Sequence, residues 1–336
     1  MNRSVLGRRA APAAVALALC LGLAACGGGD AGESTSSGSG EGEALSGSIN
    51  VDGSSTVFPL AEAAAELFQE EQPDVQVTVG QSGTGGGFQK FCNGETDIST
   101  ASRPIKDEEI AACEANGITY QELQVANDAL TVVVNSENDW ATCLTVDQLS
   151  AIWAPDSTVT NWNQVDPSFP DEALQLFGPG TDSGTFDYFT AEINGEEGAS
   201  RTDYSPSEDD NVIVQGVTGS PGGLGYFGYT YFEENADNLT AVEIDSGDGC
   251  VAPSVETSQD GTYTPLSRPL YIYPSAEAVE SKPEVAALLE YWVGDNQVIA
   301  EEALFIPLNS EQETALQDAL EELNSGAGAS AEPTST

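Results

Sequence analysis

Three segments of this sequence contain a turn rich in Gly, Ser and Thr directly before a predicted helix. They are Asp-Gly-Ser-Ser-Thr-Val-Phe-Pro at 52–59, Gly-Gln-Ser-Gly-Thr-Gly-Gly-Gly at 80–87 and Gly-Pro-Gly-Thr-Asp-Ser-Gly-Thr at 178–185. The first N–H groups of a helix lack intrahelical partners and the helix dipole is positive there, so an anion is stabilised. Hydroxyl groups add donors, and glycine lets the backbone approach an oxygen atom closely. One such turn is usually only a helix cap, but three together predict a site for a tetrahedral oxyanion.

Composition restricts the function further. The chain has 55 Asp and Glu against 9 Lys and Arg, a formal net charge of −46 at pH 7. Such an acidic surface excludes nucleic-acid binding, which needs a basic footprint. The sequence contains no histidine, so mechanisms that use imidazole as base, shuttle or metal ligand are excluded. An enzyme with this composition would have to work with carboxylates or a metal.

The N-terminal segment has the order of an export signal. Basic residues precede an apolar run at 10–25, which ends in Leu-Ala-Ala directly before Cys26. This run is shorter than the roughly 20 residues that span a bilayer, and its flanks are those of a cleaved signal. The sequence at Cys26 resembles a bacterial lipobox, although an ordinary secretory signal with a chance cysteine is the alternative. The basic residues are Arg3, Arg8 and Arg9.

We therefore predict a lipoprotein signal peptide at 1–25, followed at 26–46 by the lipidated cysteine and a flexible Gly/Ser linker. The protein would be held at the cell membrane by this lipid (palmitate) anchor alone, on the extracellular or periplasmic face. Four further cysteines remain outside Cys20 and Cys26. In an exported protein an even set of four predicts two disulfides, with three possible pairings. They are Cys92, Cys113, Cys143 and Cys250.

The elements that must position the three turns alternate between strand and helix. Apolar, β-branched runs predict strands at 49–51, 75–79, 130–134, 174–177 and 270–273. Helical periodicity follows at 59–68, 88–91, 110–115, 146–153, 186–193, 283–293 and 311–323. This alternation is typical of α/β lobes with mostly parallel sheets. Residues 323–336 are predicted to be a disordered tail.

Two more motifs complete a resemblance to a known family. They are Asp-Ile-Ser-Thr-Ala-Ser-Arg-Pro-Ile at 97–105 and Ser-Arg-Pro-Leu-Tyr-Ile-Tyr at 267–273. With the three turns, in this order and spacing, they resemble the phosphate-binding protein of the Pst-type phosphate ABC importer from about residue 47 to about 320. The resemblance implies a two-lobe, type II periplasmic-binding-protein-like fold, with each lobe a mainly parallel sheet flanked by helices. It also implies a monomer that holds inorganic phosphate in the interlobe cleft and delivers it to ABC permease subunits. Such a protein is a binding protein and not an enzyme, and we expect no cofactor and no metal site.

The resemblance also divides the chain. Strands would cross between lobes near 128–134 and 268–273, so that lobe I contains 47–129 plus 272–322 and lobe II contains 130–271. The disulfides would then be Cys92–Cys113 and Cys143–Cys250, because bridges within lobes leave the hinge free to move. Arg268 is interpreted as an ion-paired hinge residue and 207–211 as a solvated or cleft-edge loop. The tryptophans are interpreted as packing residues.

The phosphate donors follow by carrying the family motifs over. They are Ser55, Thr56, Val57, Phe58, Ser82, Thr84, Gly85, Ser102, Arg103, Ser183, Gly184 and Thr185. The sequence departs from well-known members, which have Asp where Arg103 stands and Arg where Pro179 stands. We expect the guanidinium of Arg103 to replace that second-lobe arginine. It would donate paired, charge-assisted hydrogen bonds to the ligand from the first-lobe side. Asp182 is the expected acceptor for the phosphate proton, which sulfate lacks at neutral pH.

Three alternatives remain open at this point. A binding protein for another oxyanion, such as sulfate, molybdate or a phosphonate, is the nearest to phosphate binding. A secreted phosphohydrolase would need a nucleophile with a base or metals, and an adhesion or structural lipoprotein would show no closure around an anion.

Overall fold

A central mixed sheet runs through the part of the protein that contains all three turns. The computed structural model describes residues 45–181 and 183–326. The predicted signal peptide, Cys26, the linker as far as residue 44, Asp182 and the tail from residue 327 lie outside the described residues. None of the helices within these described ranges is both long and apolar enough to cross a membrane.

The strands and helices alternate, as predicted, over 47–135 and 175–241, whereas consecutive strands occupy 239–251 and consecutive helices 276–324. The strands are β1 Gly47–Gly53, β2 Val75–Gln81, β3 Ile98–Ala101, β4 Leu123–Asn135, β5 Cys143–Thr145, β6 Gln175–Pro179, β7 Ser205–Ser207, β8 Gly223–Gly228, β9 Leu239–Ala241, β10 Glu243–Asp245, β11 Cys250–Val251 and β12 Ser267–Pro274. The helices are α1 Phe58–Glu71, α2 Thr84–Cys92, α3 Asp107–Ala115, α4 Val146–Trp153, α5 Trp162–Val165, α6 Gly184–Asn194, α7 Asp210–Thr218, α8 Tyr229–Glu234, α9 Val255–Gln259, α10 Ala276–Ser281, α11 Pro283–Gly294, α12 Asn296–Glu302 and α13 Ser310–Asn324.

Two long strands, β4 and β12, pair antiparallel at the centre of the sheet. The strand order is β2-β1-β3-β12-β4-β8-β6-β7, and β9 also pairs with β4. β1 is parallel to both β2 and β3, and β6 is parallel to both β7 and β8. The first half of β4 pairs with β12, whereas its residues from Leu130 to Val134 pair with β8. The same strand therefore belongs to both ends of the sheet.

The buried apolar residues form separate groups on the two sides of this central pair. One large group draws on 49–126 and 270–323 and packs α1, α11 and α13 against β1 and β12. The other draws on 130–266 and includes the fully buried Trp153 and Trp162. Trp292 is buried in the first group, so these three tryptophans pack in cores as expected. The fold is an α/β fold with two lobes, and each lobe has its own apolar core.

Both disulfides lie within lobes and have the predicted pairing. Cys92 in α2 is bonded to Cys113 in α3, next to the small apolar group around Phe88 and Tyr273. Cys143 in β5 is bonded to Cys250 in β11, 107 positions later. The second bridge joins the two outer strands of a separate sheet with the order β11-β10-β5.

The segment 207–211 differs in part from the interpretation as a loop, because Ser207 ends β7 and α7 begins at Asp210. Asp209 caps α7, because its side chain accepts a hydrogen bond from the amide of Asn211. Asp210 is the first residue of that helix. The loop interpretation is confirmed for the exposed Glu208 and Asp209 and is wrong for Asp210 and Asn211, because it was based on the charges alone. An acidic residue at a helix start followed by the apolar run 212–214 is a helix signal.

Candidate functional site

The first two turns and the start of α6 meet at a cavity between the lobes. Its volume is about 700 Å³, and we call it the central cavity. Its walls comprise the first turn, the second turn, the segment 102–106, one face of α6 and the segment 264–269 at the start of β12. The turns stand at the carboxyl ends of parallel strands, where open α/β sheets bind their ligands.

The first turn connects β1 to α1 and is fixed by the neighbouring strand β3. Gly53 has a φ of +154°, and a Cβ atom there would lie 2.1 Å from the carbonyl oxygen of Thr100. The amide of Ser54 donates to that same oxygen over 3.0 Å. The amides of Ser55 and Thr56 donate to no acceptor within the described ranges, and both residues line the central cavity. These amides are therefore available to an anion.

Two predicted donors of this turn have partners inside it. The amide of Phe58 donates to the carbonyl oxygen of Ser54 over 3.0 Å, and the amide of Val57 donates to the Ser54 hydroxyl over 3.4 Å. Val57 is fully buried. In this structure both amides close the turn and do not contribute to the wall of the central cavity.

The second turn rests on Asp52, a buried residue that the sequence did not single out. The Asp52 carboxylate accepts hydrogen bonds from the amide of Ser82 (3.1 Å) and from the Ser82 hydroxyl. Lys90 donates to the other carboxylate oxygen over 2.6 Å. Burial acts to raise the pKa of Asp52, but the hydrogen bonds from Lys90 and Ser82 outweigh it, so the pKa is lowered. Asp52 is thus a carboxylate that positions the second turn.

Beyond Ser82, the second turn presents the start of α2 to the cavity. The Thr84 and Ser102 hydroxyls are 3.1 Å apart, and the amide of Ser102 donates to the Thr84 hydroxyl over 3.3 Å. The amides of Thr84 and Gly85 have no acceptor among the residues that the structure describes. All these residues line the central cavity.

The third turn meets the first across the cleft. Ser183 caps α6, because its hydroxyl accepts a hydrogen bond from the amide of Thr185 over 3.2 Å. A Cβ atom at Gly184 would lie 2.7 Å from the Thr56 hydroxyl and 2.9 Å from the Thr56 amide nitrogen. The two helix starts therefore touch at glycine, and a larger residue would hold them apart. Asp182, the predicted proton acceptor, lies outside the described residues.

Arg103 lies in the wall of the central cavity, but its fork is already engaged. Its two terminal nitrogens donate to the two carboxylate oxygens of Glu109, each over 2.8 Å. The guanidinium also lies 5.7 Å from the ring centre of Phe88. Hydrogen bonding to Glu109 raises the pKa of Arg103 further. The expected fork toward the ligand is thus directed at a carboxylate of the same lobe in this structure.

A second arginine, Arg268, lies in the same cavity. Its Nε donates to Asp128 over 3.1 Å, which confirms the expected ion pair. One of its terminal nitrogens donates to the Thr56 hydroxyl over 2.8 Å, and the guanidinium lies 3.6 Å above the ring centre of Tyr188. No local pattern around Arg268 indicates a ligand role, because these neighbours are distant in the chain.

The central cavity contains both signs of charge. Its cationic residues are Arg103, Lys106 and Arg268, and its acidic residues are Asp187, Glu192 and Glu197. Burial and the charge of Glu197 raise the pKa of Asp187, and Arg268 opposes the rise. Burial likewise raises the pKa of Glu192. These acids therefore retain protons more readily than exposed carboxylates do.

On the other side of the contact between Thr56 and Gly184 lies a second cavity of about 600 Å³. Ser183 and Thr185 line this cavity. It has six carboxylates, and none of its described lining residues is Lys or Arg. Burial, with the charges of Asp209 and Glu208, raises the pKa of one of them, Asp210, to about 6. An anion is better stabilised in the central cavity than here. The carboxylates are Glu62, Glu66, Asp128, Glu208, Asp210 and Glu302.

At pH 7 we expect Asp52→Asn to lower the free energy of unfolding by about 2 kcal/mol, since it removes charge-assisted hydrogen bonds to Ser82 and Lys90. The folded-state pKa of Asp52 is lowered, so its contribution is complete above the ordinary carboxyl pKa of about 4 and is lost as the pH falls below it. Urea unfolding at pH 7 and pH 3 measures this difference. Asp74→Asn, at an exposed position, is the matched control, and equal stability of both variants at pH 7 would contradict the prediction.

Comparisons with known proteins identify the family and the fold. Residues 33–296 match a family model described as the PBP superfamily domain. The chain is 47% identical over 268 residues to protein SphX of Synechocystis sp., covering 79% of this chain and 80% of that protein. It is 39% identical over 278 residues to the phosphate-binding protein PstS of Staphylococcus saprophyticus, covering 82% of this chain and 85% of the relative.

A solved structure has the same fold. It is described as a possible phosphate-binding protein from Planctomyces limnophilus and superimposes with a TM-score of 0.79 at 49% sequence identity. The match covers 83% of this chain and 99% of that one. The predicted periplasmic-binding-protein-like fold is thereby confirmed.

Proposed function

Because the chain belongs to the family of Pst-type phosphate-binding proteins within the PBP superfamily, we propose that it captures inorganic phosphate between its lobes and delivers it to an ABC permease. The observation that carries this proposal is the meeting of two helix starts at Thr56 and Gly184. Beside this contact, amides of the first and second turns lack acceptors within the described ranges. Such N–H groups bind an oxyanion without requiring a net positive surface.

The proposed donors are the amides and hydroxyls of the three turns. Ser55, Thr56, Thr84 and Gly85 offer them from the first lobe, and Gly184 from the second. Ser183 and Thr185 remain in the proposed second-lobe set only if the start of α6 shifts, because they line the second cavity and the Thr185 amide donates to the Ser183 hydroxyl. Ser82, Ser102 and Arg103 complete the first-lobe set, although Ser82 and Arg103 are also bonded to Asp52 and Glu109. Val57 and Phe58 remain in the proposed set only if the turn rearranges, because their amides donate to Ser54.

Selectivity for phosphate over sulfate requires an acceptor for the phosphate proton, because sulfate has no proton at neutral pH. Asp182 remains our proposed acceptor, since it precedes the cap of α6 in the sequence. A site that is built to hydrogen-bond a group rejects the analogue that lacks it. A binding protein for another oxyanion is the alternative function.

We propose further that the protein works outside the cytoplasm as a monomer, attached through a lipid on Cys26. The linker of about 20 residues would give it a reach of roughly 25 Å from the membrane surface. Lobe I would contain 47–129 plus 272–322, and lobe II 130–271. In this arrangement the protein binds its ligand and performs no chemistry on it.

The test is titration of the purified mature protein with phosphate, arsenate and sulfate by calorimetry, with tryptophan fluorescence as a reporter of closure. We expect phosphate and arsenate to bind and to change the fluorescence, and sulfate to bind much more weakly. Tighter binding of sulfate would favour the alternative oxyanion, and lack of any anion-induced change would contradict the proposal. Release of phosphate from an ester would instead indicate a phosphohydrolase.

A further inference from the structure

Arg268 has an arrangement that an ion pair at a hinge does not require. Its side chain is 13% exposed and lies in the wall of the central cavity. It contacts Asp128 on the paired strand β4, Thr56 in the first turn and the ring of Tyr188 on α6. One side chain thus touches the crossing strand, the first lobe and the second lobe.

The guanidinium of Arg268 also keeps donors free. Of its five N–H groups, one on Nε donates to Asp128 and one on a terminal nitrogen donates to Thr56. The remaining three have no acceptor in the part of the chain that the structure describes. Arg103 differs, because both its terminal nitrogens are bonded to Glu109. Arg103 also donates to the carbonyl oxygen of Pro104, so two of its five N–H groups have no acceptor among the described residues. Arg268 is therefore the arginine of the central cavity with more donors available.

We propose that Arg268 binds the anion directly and couples its binding to the approach of the two lobes. This inference rests on the proposed function. The donors of Arg268 are placed beside the Thr56 amide, where an oxyanion held by the first turn would lie. The flat face of the guanidinium stacks on Tyr188 of the second lobe, which fixes its orientation. Along its edge, an N–H group points toward Thr56 in the first turn of the first lobe. A planar guanidinium held in this way loses little entropy when it binds a tetrahedral oxyanion.

Asp128 allows the charged guanidinium of Arg268 to remain in the wall of the central cavity without a bound anion. Its carboxylate balances the charge of Arg268 when no ligand is present, at a side-chain exposure of 13% for both partners. The Nε group used for this pair is not one of the three free donors, so the ion pair and the anion do not compete for the same hydrogen atom.

The test compares phosphate affinity across arginine variants by calorimetry. We expect Arg268→Gln to weaken binding by about 10- to 100-fold, the effect of losing hydrogen bonds to a charged group. Arg268→Lys is expected to lose nearly as much, because lysine retains the charge but neither the fork nor the stacking. Arg103→Gln, at a proposed donor whose two terminal nitrogens are also bonded to Glu109, should lose less than Arg268→Gln does.

Two controls separate binding from folding and from net charge. Lys282→Gln removes one cation that pairs with Asp97 away from the central cavity, and should retain the parent affinity. If Arg268→Gln lowers stability by leaving Asp128 unpaired, Arg268→Gln/Asp128→Asn removes both charges and should still bind weakly. The fluorescence change with saturating phosphate should also become smaller in both Arg268 variants, which a purely structural role would not cause.

Two results would overturn the inference. One is an affinity of Arg268→Gln within twofold of the parent, and the other is a larger loss in Arg103→Gln than in Arg268→Gln. A parent protein that fails to bind phosphate would overturn the proposed function itself. A parent that binds phosphate, together with unaffected Arg268 variants, would overturn this inference alone.

Discussion

Gly184→Ala is expected to weaken phosphate binding by about 100-fold while the unliganded protein remains as stable as the parent. The new methyl group would lie 2.7 Å from the Thr56 hydroxyl and 2.9 Å from its amide nitrogen, so the first turn and α6 could not approach each other this closely. Loss of two charge-assisted hydrogen bonds, at about 1.5 kcal/mol each, corresponds to roughly this factor. Alanine is favoured over glycine inside helices, so folding should not suffer.

Calorimetric titration with phosphate and thermal unfolding of the unliganded protein measure the two halves of this prediction. Gly294→Ala is the matched control, because it makes the same change at the end of α11, where a Cβ atom would meet nothing within 4 Å. Parent-like affinity in Gly184→Ala would show that the contact between the turns is not part of the bound state. A large loss of stability would show instead that the glycine serves the fold.

Removal of the Cys143–Cys250 disulfide is expected to lower the free energy of unfolding by about 5 kcal/mol, against about 3 kcal/mol for Cys92–Cys113. The difference follows from loop length, since the bridges span 107 and 21 positions and a longer closed loop restricts the unfolded chain more. The first value is comparable to the whole stability of many domains. The serine variant at 143 and 250 should therefore unfold at much lower denaturant concentration.

Urea unfolding of the two double serine variants, with phosphate absent, measures this difference. The order of the two losses is the decisive outcome. If the Cys92–Cys113 variant proved the less stable of the two, packing around α2 and α3 would dominate over loop closure. Phosphate affinity of folded molecules should change little in either variant, because each bridge lies within one lobe and away from the first and third turns.

The sequence was informative where the determinants of structure are local. A strand, a Gly-rich turn and a helix start occur within a few residues of each other, so the positions of Ser55, Thr84 and Ser183 at helix starts could be predicted from 52–59, 80–87 and 178–185. The capping hydroxyl of Thr145 before α4 was predictable for the same reason, and it accepts from the amide of Gln148.

Contacts between distant segments could not be predicted in this way. Arg268 meets Thr56 across 212 positions of sequence, and no local pattern records the neighbour that it finds. The sequence pattern identified Asp52 only as the first residue of its turn. Its partners Ser82 and Lys90 lie close to it because β1 and β2 pair in parallel. The partner of Arg103 is different, since Glu109 lies only six positions away. Glu109 stands three residues after Lys106 at the start of α3, the spacing at which a glutamate folds back toward the residues before a helix. This spacing could have indicated that Glu109 lies near Arg103.

The unbroken course of β4 has a mechanical consequence. Because its backbone is paired with β12 in one half and with β8 in the other, the lobes are joined by one continuous, hydrogen-bonded strand. Motion of one lobe relative to the other must then twist and bend β4 and its paired strands, and the deformation is spread over many residues. Bent strands store elastic energy, and they return to their relaxed shape when the ligand no longer holds the lobes together. We expect opening to follow ligand departure without any segment having to unfold, and at a rate that depends on the stiffness of the paired strands.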